Sequence, residues 1–181
     1  EFRTRLNFYN YHGMMGDDGQ AKWAAFFVSG RSYDSNLPPS IYVINIADGT
    51  ILKRIYLTSS GQAGNGGTPS GQPSVIDTDG NGYIDRLYIG TDKGFLYKVN
   101  IPDETAGEPT ECILNTDETI ANVSGGKRLP IYASPAVIAD VATNENDEEV
   151  NVIRVFYGTG DSPYYKETLS EAQNYAFYAF I

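Results

Sequence analysis

Residues 77–85 contain the pattern of this sequence that is best suited to holding a metal ion. They read Asp-Thr-Asp-Gly-Asn-Gly-Tyr-Ile-Asp, which puts oxygen-bearing side chains at alternate positions of a loop with two glycines. Calcium takes about six to eight oxygen ligands from carboxylates, amides and backbone carbonyls, and glycine allows a tight turn where a side chain would clash. The pattern therefore predicts a Ca²⁺ site. Its expected ligands are the side chains of Asp77, Asp79, Asn81 and Asp85, the last through both oxygens, together with the backbone carbonyl of Tyr83.

The loop follows an EF-hand loop over its first nine positions and then departs from it. The twelfth position is Tyr88, where the EF-hand has a bidentate Glu, and Asp85 leads directly into the apolar residues 87–89. No helix can follow, so we expect a calcium loop in a β context, with Ile84 pointing inward as an apolar anchor. The alternative is an Asp/Asn/Gly-rich turn without metal, in which three neighbouring carboxylates would repel one another. The corresponding stretch 140–147 lacks alternating carboxylates and a glycine pair, and we expect a loop without metal there.

Residues for nucleophilic or redox chemistry are scarce. His12 is the only histidine and Cys112 the only cysteine, so a Ser-His-Asp or Cys-His arrangement would depend on one residue near the start of the chain. A single cysteine also excludes a disulfide within the chain and a zinc site built from cysteines. The sequence holds neither a P-loop nor a dinucleotide-binding glycine motif. We therefore predict that the protein is not an enzyme.

Composition favours a globular protein with an affinity for cations. Lys and Arg total 13 against 23 Asp and Glu, which gives a formal net charge of −10. This charge repels phosphate groups and disfavours nucleic acid or anionic lipid as a partner. Hydrophobic residues make up 41% of the 181 residues, enough for a real core. No apolar run reaches the length of a membrane span.

The elements that must position the loop recur along the chain. Three segments, 25–30, 86–91 and 154–159, run from an apolar strand into a glycine turn, and each is followed by a second strand rich in aromatic residues. Two of these segments are preceded by similar phrases, Pro-Ser-Val-Ile at 73–76 and Pro-Ala-Val-Ile at 135–138. Aromatic strands separated by glycine and proline turns are typical of all-β folds.

Repeated units of four short antiparallel strands predict the blades of a propeller. We expect an all-β fold, a partial β-propeller of about three blades of four-stranded antiparallel sheets, quinoprotein-like, with the calcium loop inserted. Turns at 47–50 and 92–94 indicate hairpins, and one short helix is predicted over 167–173. A plain β-sandwich is the alternative architecture. The expected blade units are roughly residues 23–58, 72–101 and 134–181.

Three blades cannot close a ring, and an open arc leaves strand edges exposed at both ends. The sequence also opens at Glu1 without an initiator Met or a signal peptide. We therefore expect residues 1–181 to be a fragment of a β-propeller domain, with the remaining blades elsewhere in the parent chain.

Residues 77–101 resemble the C-terminal β-propeller of type IV pilus tip adhesins, the PilC/PilY family. In that family, a loop of the form Asp-x-Asp-x-Asn-Gly-x-x-Asp precedes a strand pair with the pattern Tyr-x-Gly-Asp-x-x-Gly-x-Leu-Trp-x-x-Asp. A more general similarity extends over roughly residues 23–163, through phrases that quinoprotein-like propellers share. The residues that fall in register with the strand pair are Gly90, Asp92, Gly94, Leu96 and Asn100, with Tyr97 in place of the Trp.

The resemblance implies a secreted, non-enzymatic protein at the cell surface or pilus tip, exported through the periplasm. It implies minor pilins or other pilus-tip components as partners, host or surface ligands for adhesion, and a role in pilus assembly and twitching motility. In such proteins calcium occupancy is thought to favour pilus extension over retraction.

Two alternatives stay open at this point. One is a generic extracellular recognition propeller unrelated to pili. The other is a quinone-dependent dehydrogenase-like propeller, which would need a central cofactor and aromatic side chains to stack on it. Trp23 is the only tryptophan available for that stacking.

Overall fold

The computed structural model describes residues 11–15, 21–29, 39–57, 67–69, 71–101, 112–114, 129–160 and 177–180. These residues form strands and turns, with no helix among them, so the all-β prediction is confirmed for this part of the chain. The helix predicted over 167–173 lies outside the described residues. A search of the described residues finds no helix long and apolar enough to cross a membrane.

The first sheet is an antiparallel meander of four strands in chain order. Its strands are β1 (Tyr11–Met15), β2 (Ala21–Val28), β3 (Ser40–Asn45) and β4 (Ile51–Tyr56). The hairpin predicted at 47–50 joins β3 to β4. Gly49 takes a positive φ of 76° there, and Asp48 accepts a hydrogen bond from the Thr50 backbone N–H at 2.9 Å.

The second sheet carries the acidic loop. Its strands are β5 (Ser74–Ile76), β6 (Arg86–Gly90), β7 (Leu96–Asn100) and β8 (Cys112–Leu114), again antiparallel and in chain order. The hairpin predicted at 92–94 joins β6 to β7, with Gly94 at a φ of 76°. Residues 77–85 connect β5 to β6 and lie at the end of this strand pair.

The third sheet repeats the strand pairing of the second. It contains β9 (Ala136–Thr143), β10 (Glu149–Gly158) and β11 (Phe177–Phe180), so three of the four expected strands fall within the described residues. Ile138 pairs with Arg154 in this sheet as Ile76 pairs with Arg86 in the second, which places the two similar phrases in the same register.

The two sheets differ in the segment after that shared pair. In the second sheet residues 77–85 form a loop, whereas in the third β9 and β10 continue as paired strands to Thr143 and Glu149. The prediction of a loop over 140–147 is therefore wrong for residues 140–143, which belong to β9. The turn itself is short because Asn144 Oδ1 accepts hydrogen bonds from the backbone N–H groups of Asn146 and Glu148.

Alternating side chains of β6 face two different sheets. Leu87 and Ile89 are fully buried in a cluster shared with the first sheet, while Tyr88 lies in a cluster shared with the third. Burying one such aliphatic side chain contributes about 1.5–3 kcal/mol. The first cluster consists of Ala24, Phe26, Ile41, Val43, Ile55 and Leu57 with Ile84, Leu87, Ile89, Tyr97, Val99 and Ile101. The second consists of Tyr88, Leu96, Ile131, Val155 and Tyr157.

The middle sheet is thus covered on both faces, as expected for consecutive blades of a propeller arc. Polar contacts at the start of the third sheet reinforce the stacking: Gln72 N–H donates to Ser134 Oγ at 3.2 Å, and Ser74 Oγ donates to the Pro135 carbonyl. The boundaries proposed for the blade units stay predictions.

Candidate metal centre

The base of the acidic loop is fixed to two strands and to the core. The Asp85 N–H donates to the Ile76 carbonyl at 3.2 Å, and the Asp85 carbonyl accepts from Ile101 N–H at 2.7 Å. Ile84 is 4% exposed and belongs to the cluster between the first two sheets, as its predicted role of apolar anchor requires. The position of Asp85 is therefore set by the fold around the loop.

Three of the predicted ligand side chains come together at this point. Asp77, Asp79 and Asp85 each offer a carboxylate oxygen, and these oxygens lie within 4.8 Å of one another. Asp79 is exposed, whereas Asp77 and Asp85 are half-buried. Carboxylates this close repel one another, and a divalent cation between them converts the repulsion into attraction. Hard oxygen donors of this kind suit calcium or magnesium better than a transition metal.

Asp77 is held by the glycine backbone of the loop. Its Oδ1 accepts from Gly80 N–H and its Oδ2 from Gly82 N–H, both at 2.7 Å. Burial is the largest single influence and raises the pKa of Asp77, but the hydrogen bonds with Gly82, Gly80, Asp79 and Asn81 together outweigh it and bring the pKa below its usual value. The carboxylate is thus kept charged, which is the form that binds a cation.

Asn81 lies against Asp79. Its side-chain Nδ2 donates to Asp79 Oδ2, and its backbone N–H donates to Asp79 Oδ1, both at 3.1 Å. The Asn81 Oδ1 accepts from Tyr83 N–H at 2.8 Å. These contacts place the amide oxygen inside the turn. Coordination by Asn81 and by the Tyr83 carbonyl stays a prediction.

Asp85 has two carboxylate oxygens in different surroundings. Its Oδ2 accepts from the Thr78 backbone N–H at 3.0 Å and from the Thr78 hydroxyl. Its Oδ1 is buried and has no hydrogen-bond partner in the described part of the chain. An unpaired buried carboxylate oxygen is costly, and a bound cation is a partner that would satisfy it. Because this oxygen is buried without a hydrogen-bond partner among the described residues, the side chains of the loop fit a divalent cation.

Thr78 was missed by sequence reasoning. It lies between two ligand positions of the motif, where side chains are expected to point away from the ion. A hydroxyl residue directly after the first Asp is the signal in the sequence, but threonine is common enough in turns that this signal is weak.

The acidic residues of the third sheet are arranged differently. Asp140 Oδ2 pairs with Arg154 Nε at 2.6 Å across β9 and β10. The hydrogen bond from Arg154 is the main cause of a pKa below the usual value for Asp140, and a hydrogen bond from Val141 N–H adds to it. The positive charge that balances Asp140 is thus supplied by the neighbouring strand. Of the two residues considered for nucleophilic chemistry, His12 lies in β1 and Cys112 in β8, in different sheets.

Comparison with known proteins bears on the family resemblance. The chain is 33% identical over 86 residues to a type IV pilus biogenesis factor PilY1 homolog of Xylella fastidiosa (strain Temecula1 / ATCC 700964); the match covers 44% of this chain and 6% of the relative. Its fold is similar to the crystal structure of the Pseudomonas aeruginosa PilY1 C-terminal domain, with a TM-score of 0.53 and 19% sequence identity.

The resemblance to the PilC/PilY family is confirmed. The structural match covers 83% of this chain and 32% of the PilY1 domain, so this chain corresponds to about a third of that domain. At 19% identity the likeness to PilY1 establishes the fold alone. No protein-family model matches the chain.

Proposed function

We propose that this chain is a non-enzymatic, calcium-binding β-propeller segment of a surface protein associated with type IV pili. The observation that carries the calcium part is the cluster of Asp77, Asp79 and Asp85, with a buried Asp85 oxygen that lacks a hydrogen-bond partner among the described residues. The pilus part is supported by the sequence similarity to a relative that is named as a type IV pilus biogenesis factor.

The proposed role of the site is to tie the loop to the strands that it connects. Bound calcium would supply the positive charge that the clustered carboxylates lack. The chain does the positioning: Gly80 and Gly82 hold Asp77, while backbone hydrogen bonds on Asp85 reach Ile76 and Ile101. Filling the site would therefore stiffen the end of the β5–β6 pair and the start of the segment after β7.

In the parent protein, the proposed setting is the cell surface or the pilus tip. The partners proposed there are minor pilins or other pilus-tip components, the remaining blades of the parent chain, and host or surface ligands. The proposed consequence of calcium occupancy is a change in pilus assembly and motility, because a loop stiffened by calcium presents a more rigid surface to those partners.

Thermal unfolding with calcium and with a chelator tests the calcium part. Calcium at a hundred times its dissociation constant should add about 2.7 kcal/mol to the free energy of unfolding. Asp79→Ala removes one carboxylate and should abolish most of that gain. Glu145→Ala removes the same charge from an exposed position in the β9–β10 turn and should keep the gain. Equal melting temperatures of the unmutated protein with and without calcium would contradict the proposal.

The pilus part needs the same two substitutions in the parent protein in its own organism. Asp79→Ala should change the number of surface pili and the rate of twitching, and Glu145→Ala should leave both as in the wild type. If the purified Asp79→Ala protein has lost calcium binding and yet piliation and twitching match the wild type, the site is structural and has no role in the pilus.

A further inference from the structure

Only one of the two oxygens of the Asp85 carboxylate accepts hydrogen bonds from the described residues. Oδ2 receives two hydrogen bonds from a single residue, the backbone N–H and the hydroxyl of Thr78, whereas Oδ1 is buried without a hydrogen-bond partner among the described residues. A carboxylate oxygen has about two lone-pair directions. Both directions of Oδ2 are therefore used inside the protein, whereas Oδ1 accepts no hydrogen bond from the described residues.

We propose that Thr78 makes Asp85 a ligand through one oxygen, Oδ1. The inference rests on the proposed calcium site and adds to it a positioning residue outside the predicted ligand set. Chelation through both oxygens requires Oδ2 to turn a lone pair toward the ion, and the two Thr78 donors prevent this. The loop thereby differs from an EF-hand, whose last ligand binds through two oxygens.

The number of water molecules on the ion follows from this assignment. Calcium takes about six to eight oxygens, and each ligand that binds through one oxygen leaves a position for water. Thr78 therefore determines how much of the coordination shell the chain itself fills. The oxygens then supplied by the chain are one each from Asp77, Asp79, Asn81, Asp85 and the Tyr83 carbonyl.

Bound europium counts these waters directly, because its luminescence decays at different rates in H₂O and D₂O. Thr78→Val removes the hydroxyl at nearly constant volume and frees a lone pair of Asp85 Oδ2. We expect about one fewer bound water in this variant than in the unmutated protein, because Asp85 can then bind through both oxygens. Thr78→Ser keeps the hydroxyl and should keep the original count.

Thr50→Val is a matched control in another turn. The Thr50 backbone N–H and hydroxyl both donate to Asp48 Oδ1, at 2.9 and 2.6 Å, so the same kind of hydrogen bond is lost far from the loop in sequence. Its water count should equal that of the unmutated protein. An unchanged count in Thr78→Val overturns the proposal for Thr78 and leaves the calcium site standing.

The unmutated protein provides a second measurement that does not depend on the variant folding. In a crystal structure with calcium bound, Asp85 Oδ1 should lie about 2.3–2.6 Å from the ion, with Oδ2 still hydrogen-bonded to Thr78. Both oxygens at that distance would overturn the proposal. Failure of the unmutated protein to bind either calcium or europium would instead remove the proposed function itself, and this inference with it.

Discussion

Two glycines of the acidic loop have backbone conformations that other residues rarely adopt. Gly80 and Gly82 take φ values of 77° and 91°, and a Cβ added at either position would meet no atom within 4 Å. A side chain there would be unfavourable because of the backbone angle alone, not because of a clash. The two N–H groups that hold Asp77 depend on this conformation.

Gly82→Ala should therefore weaken the loop without disturbing its neighbours. The left-handed backbone costs about 1–2 kcal/mol for a residue with a Cβ, and we expect a loss of that size in the free energy of unfolding with calcium present. Gly160→Ala, also in open space and without a positive φ, should cost less. Urea unfolding with calcium compares the three proteins, and equal stability of Gly82→Ala and the unmutated protein would contradict the assigned conformation.

The Asp140–Arg154 ion pair should make the stability of the fold depend on pH. The folded-state pKa of Asp140 is lowered, mainly by the Arg154 hydrogen bond, so the pair favours folding above the unfolded pKa of Asp. That contribution disappears as the pH falls through the lowered pKa. Nuclear magnetic resonance titration of the Asp140 carboxyl should give a midpoint below the usual value in the unmutated protein and closer to it in Arg154→Gln. The same midpoint in both proteins would show that Arg154 does not hold the charge.

The second and third sheets share one strand pairing but continue from it in different ways. The pairs Ile76–Arg86 and Ile138–Arg154 are equivalent, but the acidic loop follows the first and a longer hairpin follows the second. The two sheets thus differ in the segment that links the two strands beyond this pair, while Leu87, Ile89 and Val155 on the other side of it are buried in the core.

Two glycines at equivalent positions of the second and third sheets should differ in how well they tolerate an added side chain. Gly90 and Gly158 end the equivalent strands β6 and β10, but a Cβ on Gly90 would lie 2.3 Å from Ile131 Cγ2 and 2.9 Å from the Ile131 carbonyl oxygen. The Ile131 backbone is itself fixed by a hydrogen bond from its N–H to the Thr91 carbonyl at 2.9 Å. Gly158 has no atom within 4 Å of the same position.

Gly90→Ala should cost about 1–3 kcal/mol in the free energy of unfolding, the usual penalty for overpacking. Gly158→Ala should change it little. Denaturant unfolding of the two variants measures the difference. If Gly158→Ala is the more destabilised of the two, the packing of the loop before β9 against β6 is not as described.

The sequence is informative about these elements where residue types restrict the backbone. The turns at 47–50 and 92–94 are predictable because Asp and Gly provide the side-chain acceptor and the positive φ. The continuation of β9 through residues 139–143 is not predictable from the sequence. Ala139 and Asp140 have little strand preference, and their pairing with β10 holds them in the strand. The clustering of Asp77, Asp79 and Asp85 is predictable from spacing, whereas the Thr78 contact depends on how the loop closes.

The first and third sheets each have a face that no other described sheet covers. On the first sheet, Trp23 is 62% and Tyr56 48% exposed, and the Arg54 guanidinium lies 4.7 Å from the Tyr56 ring centroid. On the third, Ile138 is 47% and Phe177 72% exposed. The middle sheet shows how such faces are covered in this fold, by another sheet of the same kind. We propose that further blades of the parent chain cover the outer faces.

The fluorescence of Trp23 can test this proposal, because Trp23 is the only tryptophan in the chain. Its fluorescence should be that of an indole in water in the 181-residue protein, and should shift to shorter wavelength in a longer piece of the parent that adds the neighbouring sheets. Trp23→Phe identifies any emission from added tryptophans. Unchanged Trp23 emission in the longer protein would mean that this face stays open to solvent.

Calorimetric titration of the protein with calcium tests the proposed metal site in residues 77–85. We predict binding with a stoichiometry of one and an affinity in the range of about micromolar to millimolar, as in sensor and extracellular sites. Asp79→Ala should abolish the heat of binding and Glu145→Ala should preserve it. Absence of binding by the folded, unmutated protein, or binding that survives Asp79→Ala unchanged, would contradict a calcium site in this loop.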